Sequence, residues 1–158
     1  MKAATLTEIK KELMHRSQDE LLNYCLYLSR FKKENKELLT YLLFESHDEQ
    51  SYIDGIKVEV EQLFSEINTN SYFYIKKSVR KILRRIKTYI RYSKKKETEV
   101  ELLIHFCETL KSFKPSMIRS VALHGIYKRQ ILVIEKTVDK LHEDLQYDYN
   151  IILDELKA

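Results

Sequence analysis

Two glycines and one proline are spread over 158 residues. Average usage would place about 7% Gly and about 5% Pro in a chain. Folds built from many tight turns need those residues at positions of special backbone angle. A β-sandwich, a barrel or a glycine-cradled nucleotide fold is therefore nearly excluded. What remains is a series of helices with few, short connections. The expected fold class is all-α: a single domain over residues 1–158, with six to eight antiparallel helices in a bundle or a short curved stack of helical hairpins.

Apolar residues make up 44% of the chain, enough for a real core. Helices are expected at about 5–15, 18–31, 34–46, 48–67, 71–92 and 95–113, with a long last one over about 116–156. Thr5-x-x-Glu8 and Ser17-x-x-Glu20 have the capping-box pattern of helix starts. The run Leu38-Leu39-Thr40-Tyr41-Leu42-Leu43-Phe44 is apolar on every side, which marks a central, buried helix or one with a partner on one side. Pro115 ends the helix before it, because the residue preceding a proline avoids helical geometry. Cys25 and Cys107 lie far apart in apolar stretches and are expected as reduced, buried thiols. With no apolar leader and no run long enough to span a bilayer, the chain is expected to be soluble and cytoplasmic.

The last helix poses a length problem. Tyr127, Ile131, Ile134, Val138, Leu141 and Leu145 step by four and three, as in a coiled-coil seam. A continuous helix over 117–156 would be about 60 Å long, against a domain diameter of roughly 40 Å. It either breaks, near Gly125 or near Tyr149, or it projects and pairs as a homodimer seam through those six residues.

Net charge is only +4, and its distribution is uneven. No acid occurs between Glu66 and Glu97, while residues 68–96 carry eleven Lys and Arg. On a helical wheel, Ile75, Val79, Ile82, Leu83, Ile86, Tyr89 and Ile90 share one arc. Lys76, Lys77, Arg80, Lys81, Arg84, Arg85, Lys87 and Arg91 fill the opposite one, together with Phe73, Tyr74 and Tyr92. Like charges at i,i+4 repel by a few tenths of a kcal/mol each, so something anionic should relieve them. Acidic helices of the same chain could do so. So could nucleic acid, with the three aromatics as stacking platforms, or an acidic protein or membrane surface.

No catalytic motif is present: no glycine-rich phosphate loop, no HExxH, no nucleophile elbow. Glu12-x-x-His15 and Asp139-x-x-His142 have the spacing of di-iron ligands, but no inward-facing glutamates on two further helices accompany them. Glu101-x-x-x-His105 places its histidine at the edge of an apolar face. No metal, no cofactor and no enzymatic activity is expected. The expected role is a protein–protein interaction or scaffold module, with RNA or single-strand binding by the basic face of residues 72–96 as the alternative. The N-terminal pattern Leu6-x-x-Ile9-Lys10-x-x-Leu13, Glu20-Leu21-Leu22, Leu28 and Lys32-Lys33-x-Asn35-Lys36-Glu37 resembles small uncharacterised helical bacterial proteins. That resemblance covers about the first 45 residues. It implies an all-helical fold and assigns no functional residue.

Overall fold

A computed structural model describes residues 1–158. It contains eight α-helices and no strand. The helices are α1 (Leu6–Leu13), α2 (Gln18–Phe31), α3 (Lys33–Thr40), α4 (Glu49–Ser65), α5 (Tyr72–Ser93), α6 (Lys96–Ser112), α7 (Val121–Val138) and α8 (Glu143–Lys157). The all-α class read from the scarcity of Gly and Pro is what the chain adopts. No helix is long and apolar enough to cross a membrane. The chain divides into two compact units, Met1–Phe44 and Glu45–Ala158.

In the first unit both capping boxes form. The Thr5 hydroxyl accepts from the Glu8 amide, and Glu8 reaches back to the Thr5 amide at 2.7 Å. Ser17 and Glu20 repeat the exchange at the start of α2. The bonds that the Thr5 amide and hydroxyl donate to the Glu8 carboxylate hold that carboxyl below its ordinary pKa. Helices α2 and α3 pack as a hairpin, and the Asn35 amide donates to the Leu28 carbonyl across its turn. After Thr40 the backbone widens into a π-helical turn, Tyr41–Glu45. Tyr41 is the one buried residue of the unit. The expectation of a central helix at 34–46 therefore fails: Leu42, Leu43 and Phe44 are exposed. Cys25, expected buried, is exposed as well.

The second unit is built around α6, which touches α4, α5, α7 and α8. Leu102, Leu103 and Ile104 are consecutive and all buried, so this helix is covered on most of its circumference. Val100, Phe106, Cys107 and Leu110 are wholly inaccessible. Phe106 packs against Phe64 of α4 with ring centres 5.9 Å apart. Burial pushes the Cys107 thiol up to about 12, so it is an inert core group. Helix α5 ends at Lys94, which takes the left-handed conformation at φ 60° while its N–H donates to the Ile90 carbonyl.

The C-terminal segment breaks, and it breaks at neither expected place. A 3₁₀ turn, Met117–Arg119, precedes α7, and Gly125 lies inside an unbroken helix. The break falls at Asp139–His142, where the Lys140 and Leu141 amides bond back to Thr137 and Val138. The His142 ring then accepts the Asp144 amide and caps α8, whose first turn carries Glu143 and Asp144. The Gln146 side chain donates to the Asp139 and Leu141 carbonyls left over at the corner. Folded back, α8 docks on α7 and α6, and the Tyr127 hydroxyl donates to the Leu156 carbonyl at 2.7 Å.

Candidate nucleic-acid interface

Helix α5 is 22 residues long, about 33 Å at 1.5 Å per residue. Its apolar arc behaves as the wheel predicts. Ile75, Val79, Ile82, Leu83 and Ile86 are buried, which fixes the rotation of the helix about its axis. The basic arc must then face outward. Lys77, Arg80, Lys81, Arg84, Lys87 and Arg91 are exposed, and Lys76 is partly so.

Several acidic residues of α4 and α7 make contacts away from this face. Glu61 lies 3.4 Å from His105, Glu66 accepts from Gln62, and Asp54 accepts from Gln50. Asp48 caps α4 through Ser51, and Glu135 pairs with Lys157. Glu49 takes Lys95, Ser93 and Thr98 at the far end of α5. Only Glu59 reaches the basic arc, and it takes Arg85 at the edge of that arc. Lys76, Lys77, Arg80, Lys81, Arg84, Lys87 and Arg91 have no acidic partner in the chain. Internal neutralisation by acidic helices thus reaches one of the eight cations of the face.

The three aromatics expected on this face separate. Phe73 is 63% and Tyr74 47% exposed, with their rings 5.5 Å apart and Lys76 5.9 Å from the Phe73 centroid. On the wheel Phe73 falls amid Arg80, Arg84 and Arg91. Tyr92 is 8% exposed and is not a stacking platform. It sits on the flank that turns toward Tyr89, whose ring it meets edge-on at 6.2 Å. The arrangement is a track of cations with an aromatic pair at its N-terminal end. It can hold a string of phosphates and stack a base.

The other candidate residues lie apart. In the expected dimer seam Tyr127, Ile131, Ile134 and Val138 are buried within the second unit, and Leu141 and Leu145 are partly buried at the α7–α8 corner. The seam is consumed by the chain's own core. Histidine and carboxylate pairs do not converge: no group of three or more His, Cys, Asp or Glu is placed to hold a metal ion. Glu101 is tied to Lys57 at 2.7 Å and to the Tyr149 hydroxyl at 3.1 Å. Glu101 and Tyr149 also line a cleft of 440 Å³ with Glu49, Ile53, Lys95 and Lys96, which brings together residues of α4, α6 and α8 and has no signal in the local sequence.

No family model matches the chain. No curated protein and no solved structure matches it either.

Proposed function

We propose that the protein binds single-stranded nucleic acid through the outer face of α5. The observation that carries this reading is the set of seven cations on one helix face with no acid of the chain to answer them. Each cation that meets a phosphate displaces condensed counterions, and that release drives association. The exposed Phe73–Tyr74 pair favours unpaired strands, whose bases are free to stack on aromatic side chains. A titration of fluorescent mixed-sequence RNA and DNA single strands over a range of salt tests it. Binding should weaken steeply with salt, at about 0.7 logarithmic units per phosphate contacted. Replacing Arg80, Arg84 and Arg91 together by Ala should lower the slope by about 2. No binding at low salt, or an unchanged slope in the triple variant, removes the reading.

A protein-interaction role is the second reading, and one observation favours it. Residues 1–44 carry Leu22, Tyr24, Leu26, Tyr27, Leu28, Phe31, Leu42, Leu43 and Phe44 exposed. Apolar surface on that scale in so short a unit marks a contact site.

A further inference from the structure

We propose that α2 is a homodimerisation element: it pairs antiparallel with α2 of a second copy of this chain through Leu22, Leu26 and Tyr27, with Asp19 of one copy against Arg30 of the other. The argument begins with which side of α2 is already used. Cys25, Leu28 and Ser29 line the groove shared with Asn35, Leu38, Leu39 and Leu42 of α3. On the wheel these α2 residues occupy one side of the helix. Leu26 and Tyr27 lie away from it and Leu22 borders it; Leu22, Leu26 and Tyr27 are 57%, 41% and 69% exposed.

The surface is too large to be incidental. A unit of about 40 residues rarely holds together without a disulfide, a metal or a partner. Here residues 1–44 bury only Tyr41. Tyr24, Tyr27, Phe31 and Phe44 are 42%, 69%, 70% and 66% exposed. At roughly 200 Å² per aromatic side chain, these four rings leave about 500 Å² in water. Of these four rings only Tyr27 lies on the proposed face, so the α2 seam is smaller than an ordinary interface of about 800 Å² per partner, and the dimer it forms is a weak, concentration-dependent one.

Charge identifies the occupant as a second copy. Asp19 and Arg30 are eleven residues apart, which is three turns within about 20° of rotation. They therefore lie on the same side of α2 and frame Leu22, Leu26 and Tyr27 from its two ends. Neither has an ionic partner within the chain. A two-fold axis through the middle of α2 brings Asp19 to Arg30 twice at once, the self-complementary pattern of an isologous interface. A parallel pair would set like charge against like. This interface does not depend on the nucleic-acid reading, which concerns α5.

Sedimentation velocity over a concentration series tests it on the full chain, with circular dichroism as the check that helix content is kept. The wild-type chain should show a concentration-dependent dimer, and Leu26→Glu should give a monomer. Asp19→Arg and Arg30→Asp should each weaken the dimer about ten-fold or more, and the doubly reversed chain should return to within about three-fold of the original. A monomer at every concentration overturns the proposal. So does a dimer that Leu26→Glu leaves intact, or a double reversal no stronger than the single ones.

Discussion

Arg85 Nε lies 3.4 Å from Glu59 Oε1, and its guanidinium carbon lies 4.4 Å from the centre of the Tyr89 ring, whose hydroxyl donates to the same carboxylate. Arg85 is thereby withdrawn from the cationic track and joined to the fold. Its neighbour Arg84 has no such tie. Arg85→Ala should cost about 1 kcal/mol of stability, the worth of a partly exposed ion pair and a cation–π contact. It should leave the salt dependence of strand binding nearly unchanged. Arg84→Ala should behave the other way: stability within about 0.5 kcal/mol of the parent, and a salt slope lower by about 0.7. Chemical denaturation and the binding titration read the two effects separately.

High pH should destabilise the second unit. Burial raises the Cys107 thiol from 9.0 to about 12 and the Tyr127 hydroxyl from 10.0 to about 12. Both groups hold their protons more tightly in the folded chain than in the unfolded one. The unfolded state therefore loses protons first, and stability falls as pH rises. The loss should begin near pH 9, where the free thiol titrates, and continue to about pH 12. Denaturant midpoints measured between pH 7 and pH 11 should be flat and then descend. Tyr127→Phe should lessen the descent above pH 10, because one of the titrating groups is gone.

Phe106 is fully buried beside Phe64. Phe106→Ala should cost about 3–5 kcal/mol through lost burial and the cavity left behind. Val58, 66% exposed on α4, is the control. Val58→Ala should stay within about 0.5 kcal/mol. Thermal melts of the two variants decide it.

Gly55 lies inside α4, and a Cβ built on it meets nothing within 4 Å. Gly55→Ala removes backbone freedom from the unfolded chain without a clash. It should raise stability by about 0.4–1 kcal/mol, read as a higher denaturant midpoint.

The two units should behave differently when separated. Residues 45–158 hold every buried residue except Tyr41. That fragment should keep its helix content and melt cooperatively. Residues 1–44 alone, at low concentration, should lose most of theirs, since short helices without packing are marginal in water. Far-ultraviolet circular dichroism of both fragments checks this.

Periodicity made α5 readable, because one apolar arc against one charged arc admits only one rotation of the helix on a core. The same logic misled at Tyr127, Ile131, Ile134 and Val138. A four-and-three step states that a helix has a buried side, and it does not say whether the cover is another chain or the next helix. The fold-back at Asp139–His142 left only the pair Glu143–Asp144 as a starting signal, since histidine is an uncommon cap. In α2 and α3 the apolar residues are spread around the helix, so the pattern predicted burial that the chain by itself does not provide. Which acids would meet which bases depends on helix neighbours far apart in sequence. The pairing of Glu59 with Arg85 across 26 positions could not be told from its alternatives along the chain.

Lys94 occupies the backbone position at which helices commonly end on glycine. A side chain in that left-handed geometry costs on the order of 1 kcal/mol. In return the corner itself carries a cation, Lys94, between Arg91 of α5 and Lys96 at the start of α6. A glycine there would give an easier turn and one cation fewer at the corner. The corner therefore sets conformational ease against the density of positive charge where α5 gives way to α6, and this sequence keeps the charge.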